Sequence, residues 1–228
     1  MLLEILSFGL VLTFLTTLNM ELESSNKCDL CEVCTLHVYD EITNSWARCE
    51  KADSSLFYSS LRTIPPRYKH STWHDFKQDT EPRKKAYEYA VAVYNRLLQK
   101  QMPKKSLVFS GKEFTGKTFI SAILLRSLIL KGFTGTFVSL SVLMDLYFND
   151  KQEYYSYTQY DVLVIQLGSE IANSSIPFVV KELYTQRLQN NKYSFFTSKF
   201  FITEFTQHYS KELQDFFSLD LFKELRMR

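Results

Sequence analysis

Past Cys49 the chain has no cysteine, and its four thiols, Cys28, Cys31, Cys34 and Cys49, are confined to one short N-terminal stretch. A disulfide scaffold spreads its cysteines through the fold, so that class is excluded. A compact cluster with C-x2-C spacing is instead the pattern of a thiolate metal site in a reducing compartment such as the cytoplasm. Glycine is scarce too: there are six in 228 residues, and Gly111, Gly116 and Gly132 fall within one short segment. No charge of one sign dominates. Lysine and arginine total 27 against 25 acids, a formal net charge of +2, so any contact with nucleic acid has to be a local patch. The one apolar run close to the length of a membrane span is MLLEILSFGLVLTFLTTLN at the N-terminus. It has no basic residue ahead of it, carries Glu4 where a positive charge belongs, and is followed by no A-x-A-like site, which argues against a signal peptide. Three readings remain for residues 1–19: an upstream extension before a start at Met20, a membrane anchor, or a helix packed on the domain.

What is present is ample core material, 45% hydrophobic and 15% aromatic, enough for one domain plus an appendage. The pattern divides into the apolar residues 1–19, a cysteine-rich module at 20–62 and a larger domain at 63–228. TIPPRY marks the last boundary, because two prolines forbid a helix interior there. Residues 81–101 then show helical spacing of Ala86, Tyr89, Ala90, Val93, Tyr94, Leu97 and Leu98, with Pro82 in a first-turn position. Beyond the break QMPKK, short apolar runs (SLVFS, TGTFVSL, DVLVIQL, YSFFTS) alternate with helical segments at 118–131, 141–150 and 177–190. Buried parallel strands between helices read this way, so the fold class is α/β with a parallel sheet. The tyrosine-rich stretch holding Tyr154, Tyr155 and Tyr157 reads as loop surface, and Phe195 and Phe196 as strand core. The basic spots Arg83-Lys84-Lys85 and Lys104-Lys105 read as solvated faces.

The strongest chemical signal is Gly111-Lys112-Glu113-Phe114-Thr115-Gly116-Lys117-Thr118, which matches G-x4-G-K-[ST] at every fixed position. It follows an expected strand and opens an expected helix. Glycines let the backbone curl so that its N–H groups face phosphates, and the helix N-terminus adds positive potential. Lys117 is expected to reach the outer phosphates, and the Thr118 hydroxyl to help hold Mg²⁺. The bound species expected is ATP or ADP. A loop of this kind ordinarily works with an acid at the end of a later strand, which orients the metal's water. Here that strand ends Ile165-Gln166-Leu167, and glutamine is a poor substitute. Asp161 starts the run, roughly 13 Å from the phosphate end at about 3.3 Å per residue, and reads as a strand-edge residue. Glu170, past the strand, is the one candidate to compensate.

Taken together these motifs resemble the DnaC/DnaI-type replicative helicase loaders of the AAA+ ATPases, over roughly Cys28 to the C-terminus. TIPPRYKHSTWHDF is similar to the family's "IPxRY…TFxxF", and LVFSGKEFTGKTFISAILLRSLILKG to its strand, phosphate loop and helix. DVLVIQLGSE is similar to "DLLIIDDLGxE" with one residue missing and glutamine in place of two acids, and NKYSFFTSKF to the sensor-1 strand "PTIxTSNx", with Lys199 at the usual Asn position. The resemblance implies an AAA+ sheet flanked by helices, a replicative DNA helicase as partner, contact with single-stranded DNA and homo-oligomers joined through the ATPase faces. It also implies a catalytic arginine acting across subunits. LFKELRMR offers Arg226, with Glu224 a rival occupant, the alternative being that Arg226 and Arg228 form a frayed basic tail. A sensor-2 arginine lies downstream in such proteins, beyond the last residue here. Cys28, Cys31 and Cys49 fall where similar loaders carry "CxxC…CxC"; Lys51 stands at the place of the last cysteine, which leaves Cys34 or His37 as fourth Zn²⁺ ligand. In the family this module contacts the helicase. With the acid lost, weak hydrolysis or none is expected, so an adaptor or decoy of the helicase or loader stands beside the loader reading. A transposition helper ATPase is the third.

Overall fold

The computed structural model describes residues 37–40 and 45–48 as backbone strands, and residues 60–168 and 175–228 in full. Two strands, β1 (His37–Asp40) and β2 (Ser45–Arg48), pair antiparallel as a hairpin. The cysteine cluster and residues 1–19 lie outside the described residues. Among the described residues no helix is long and apolar enough to cross a membrane.

The first long helix is α1 (Glu81–Leu98), where the Thr80 hydroxyl accepts from the Arg83 N–H and Pro82 occupies the first turn. Ala86, Ala90, Val93, Tyr94 and Leu97 form its buried stripe. The helix stops three residues short of the periodic pattern, since Lys100 turns the chain at φ 57. Tyr89, expected on the apolar face, is 40% exposed and lies beneath the Lys223 ammonium, 5.2 Å from its ring centroid.

Five parallel strands follow: β3 (Ser106–Ser110), β4 (Gly135–Ser139), β5 (Val162–Leu167), β6 (Tyr193–Ser198) and β7 (Phe222–Arg226). Their order across the sheet is β4-β5-β6-β3-β7. Helices α2 (Lys117–Leu130), α3 (Leu140–Asn149) and α5 (Ile176–Gln189) connect them. Alternate residues of β5 feed two cores: Val162 and Val164 join α1 and α2 on one face, and Leu163 and Ile165 join α3 and α5 on the other. Burial on both faces is why these strands read as unbroken apolar runs. The outer edge of β4 is covered by side chains rather than by a strand: its Gly135 and Phe137 N–H groups donate to the hydroxyls of Ser60 and Thr63.

Three features depart from the sequence reading. The tyrosine-rich connection contains a short helix, α4 (Lys151–Ser156), whose Tyr154 is fully buried and donates to the Val179 carbonyl at 2.9 Å; it is core, not loop surface. Residues 222–226 are no frayed tail. They pair with β3 residue for residue from Ser106↔Phe222 to Ser110↔Arg226, with Phe222, Leu225 and Met227 buried. Arg187 of α5, which has no motif around it, is fully buried; its guanidinium donates to Ser194 Oγ (2.7 Å) and to the carbonyls of Tyr157 (2.5 Å), Tyr160 (2.9 Å) and Tyr193 (2.7 Å). Two short helices, α6 (Phe205–His208) and α7 (Lys211–Phe217), lead from β6 to β7.

Candidate nucleotide site

The loop at 111–116 joins β3 to α2 and is braced from three sides. Gly111 and Gly116 have φ of 135° and 96°, values that L side chains rarely adopt. At Gly111 a Cβ would lie 2.0 Å from the Met227 carbonyl oxygen, so the residue after β7 presses directly on the loop. The Met227 N–H in turn donates to the Ser110 carbonyl at 2.7 Å. From α1, Arg83 donates to the Thr115 carbonyl at 3.2 Å while pairing with Asp79. The third brace is the segment 66–76, tied to α2 by Trp73 Nε1 donating to Ser127 Oγ (2.8 Å), Arg126 donating to the Lys69 carbonyl (2.8 Å) and the Tyr68 ring stacked on Phe119.

Beside this loop, at the C-terminal ends of β5 and β6, is a cavity of about 510 Å³. Lys117 and Thr118 line it from α2, and Arg67 and Tyr68 from the segment before α1. Gln166 and Leu167 of β5 and Thr197, Ser198 and Lys199 at the end of β6 form the opposite wall. Parallel α/β folds place ligands at this end of the sheet. The Lys117 ammonium is turned back on its own loop, donating to the Lys112 carbonyl and to Thr115 Oγ1. Burial pulls its pKa down to about 8, against the opposing charge of Glu113. Phe114 sits at the loop apex, 90% exposed and at φ 62, a left-handed conformation costing a non-glycine residue about 1 kcal/mol.

The fold thus gathers Gly116, Lys117, Thr118, Glu113 and Phe114 at one cavity, and adds Arg67, Tyr68, Thr197 and Lys199 to them. No local pattern marks these four as neighbours of the loop; only the resemblance had set Lys199 in a functional strand. Arg226 is elsewhere. It is exposed at the end of β7, its Nε donates to Glu224 at 2.8 Å, its guanidinium lies 5.3 Å from the Phe201 ring, and it lines a second hollow of about 650 Å³ between α1 and β7. Asp161 stands at the start of β5, away from the cavity lining, where Lys192 (2.8 Å), Thr134 Oγ1 and the Thr134 N–H donate to it. The basic spots are largely paired: Lys85 with Glu81 and Lys105 with Asp220. Among the described residues no group of three or more His, Cys, Asp or Glu could hold a metal. Cys28, Cys31, Cys34, Cys49 and Glu170 lie outside those residues.

Among the described residues, the donor set facing the cavity does not suit Mg²⁺. That ion takes charged oxygens, from one or two carboxylates together with phosphates, in near-octahedral geometry. Gln166 offers a neutral amide at the strand position, opposite Thr197 in register. Glu113, on the exposed loop, is the one acid among the described lining residues.

No family model matches the chain, and no curated protein matches it by sequence. Solved structures share its architecture. DnaI is 18% identical, with a TM-score of 0.61 over 72% of this chain and 95% of that one. The DnaC helicase loader is 17% identical, with a TM-score of 0.61 over 72% and 100%. DnaA from Aquifex aeolicus, bound to AMPPCP, is 15% identical, with a TM-score of 0.58 over 71% of this chain and 51% of that one. The chain therefore shares the α/β fold of these structures, with a five-stranded parallel sheet flanked by helices.

Proposed function

We propose that the protein is a helicase-loader-like nucleotide-binding protein of DNA replication, which holds ATP or ADP at the cavity beside Lys117 and acts on a replicative DNA helicase with weak or no hydrolysis. One observation carries the reading: a braced G-x4-G-K-T loop opens onto a cavity whose facing strand ends in Gln166 instead of an acid. Loop amides and Lys117 suffice to grip phosphates. Turnover needs more, because the metal and a correctly placed arginine stabilise the transferring phosphoryl group, and an arginine finger alone is typically worth about 10³ to 10⁵ in rate. The loader reading draws support from the shared architecture with the DnaC helicase loader and DnaI.

Within this proposal Lys117 is the principal phosphate contact and Thr118 a hydroxyl contact beside it. Arg226, exposed on β7, is assigned to contact with a neighbouring copy through the ATPase faces. The hollow lined by Lys85, Lys223, Arg226 and Arg228, together with Glu88 and Glu224, is assigned to contact with single-stranded DNA. The cysteines at 28, 31, 34 and 49 are assigned to a zinc-binding, helicase-contacting module. The deciding experiment measures fluorescent-nucleotide binding and steady-state hydrolysis, with and without single-stranded DNA, for wild type and Lys117→Ala. Binding lost in Lys117→Ala with negligible turnover supports the reading; brisk turnover that depends on Lys117 overturns its non-hydrolysing part. A second reading, an adaptor that occupies the helicase or a true loader, is favoured by Gln166 and would show as helicase binding that blocks loading.

A further inference from the structure

We propose that the cavity binds its nucleotide without a divalent cation, and that Lys199 supplies the positive charge that magnesium supplies in other phosphate loops. This inference rests on the nucleotide-binding reading above and concerns how that same site meets the charge of the phosphates.

The wall opposite the loop carries the argument. Mg²⁺ in a phosphate loop is normally held between the loop hydroxyl and a carboxylate at the end of the facing strand, so that acid and ion together add a single positive charge to the wall. Here the strand ends in neutral Gln166, and one strand over, just past the end of β6, stands Lys199. Glutamine with lysine gives this wall a fixed positive charge that needs no bound ion. The electrostatic requirement of a polyphosphate is then met by fixed side chains: Lys117 from α2, Arg67 from the opposite rim and Lys199 from the sheet. A divalent ion in the usual place would face those cations with no carboxylate on the sheet side, among the described residues, to offset them.

A further observation fits an anion at this wall. Lys199 has no carboxylate partner among the described residues. Its ammonium lies 5.0 Å from the centroid of the Phe200 ring, which is itself stacked on His208 at 3.5 Å. The cation is thus held at the cavity wall by an aromatic face, leaving its N–H donors for an anion. A lysine spent on a surface ion pair would have no such capacity.

The test titrates the full-length protein with fluorescent ADP and ATP, in excess EDTA and in excess Mg²⁺. The dissociation constant is expected to change by less than about threefold between the two conditions, where a metal-requiring loop loses most of its triphosphate affinity in EDTA. Lys199→Asn weakens binding in EDTA by about ten- to a hundredfold, the worth of a charged hydrogen bond, while Lys199→Arg retains it. Thermal melting of each variant checks that the fold is intact, and the arginine variant keeps the test decisive if the asparagine one unfolds. Binding seen only with Mg²⁺ overturns the proposal and leaves the nucleotide reading standing; if Glu170→Gln then weakens that Mg²⁺-supported binding, the missing acid is Glu170. Unchanged affinity in Lys199→Asn overturns the role of Lys199. Binding in neither condition refutes the nucleotide reading itself, and this inference with it.

Discussion

Gly111→Ala probes the contact that ties the last strand to the phosphate loop. Three costs add up. The backbone at φ 135° is one that alanine adopts poorly, worth about 1–2 kcal/mol. The new methyl would lie 2.0 Å from the Met227 oxygen, more than about 1 Å inside ordinary contact, so Met227 has to move. That movement breaks the 2.7 Å hydrogen bond from Met227 N–H to Ser110, worth about 1 kcal/mol, and loosens a fully buried methionine side chain for about another 1–2 kcal/mol. The expected loss is about 3–5 kcal/mol in urea unfolding followed by circular dichroism. Gly132→Ala, at φ 91° after α2, serves as the comparison for the backbone cost, about 1–2 kcal/mol. If Gly111→Ala costs no more than Gly132→Ala, the pressing of residue 227 on the loop is not a stabilising contact and the argument fails. Nucleotide affinity is expected to fall with stability in Gly111→Ala and to hold in Gly132→Ala.

Four further outcomes are expected. Arg187→Met strands the Ser194 hydroxyl and three carbonyls in the interior and should cost about 3–5 kcal/mol by the same assay, with Arg187→Lys recovering only part; a loss under about 1 kcal/mol contradicts the packing described. Burial pushes the Asp161 carboxyl up, but hydrogen bonds from Lys192 and Thr134 outweigh it and hold the net pKa below the ordinary value. Its stabilising contribution is therefore present above the unfolded-state pKa near about 4 and fades as pH falls through the lower folded value; Asp161→Asn should flatten that acid limb of the stability profile. Because burial lowers the Lys117 pKa to about 8, nucleotide affinity should be level below that pH and fall as the ammonium loses its proton above it, in a binding titration from pH 6.5 to 9.5; a flat profile contradicts the lowered pKa. Gln166→Asp restores a carboxylate to the wall and should make nucleotide binding respond to Mg²⁺, read as a gap between the EDTA and Mg²⁺ titrations that wild type lacks.

The sequence by itself determined the local features. The loop at 111–118 is legible because glycine, lysine and threonine act there through their immediate neighbours, and β3, β5 and β6 are legible because strands buried on both faces must be apolar throughout. Helices α2, α3 and α5 fall within a residue or so of their patterns for the same reason, since their apolar content is set one turn at a time. What the tertiary structure alone decided is non-local. FKELR carries no unbroken apolar run, because Lys223 and Glu224 separate Phe222 from Leu225, and only pairing along β3 reveals an edge strand. Tyr154 is a polar-looking residue that becomes core because the Val179 carbonyl receives its hydroxyl. Arg187 carries no motif, and its four acceptors come from two separate stretches of chain, 157–160 and 193–194. The cavity itself is the clearest case: Arg67, Lys117, Gln166, Thr197 and Lys199 come from four distant segments, and their nearness is fixed by strand order, which no spacing along a single chain encodes.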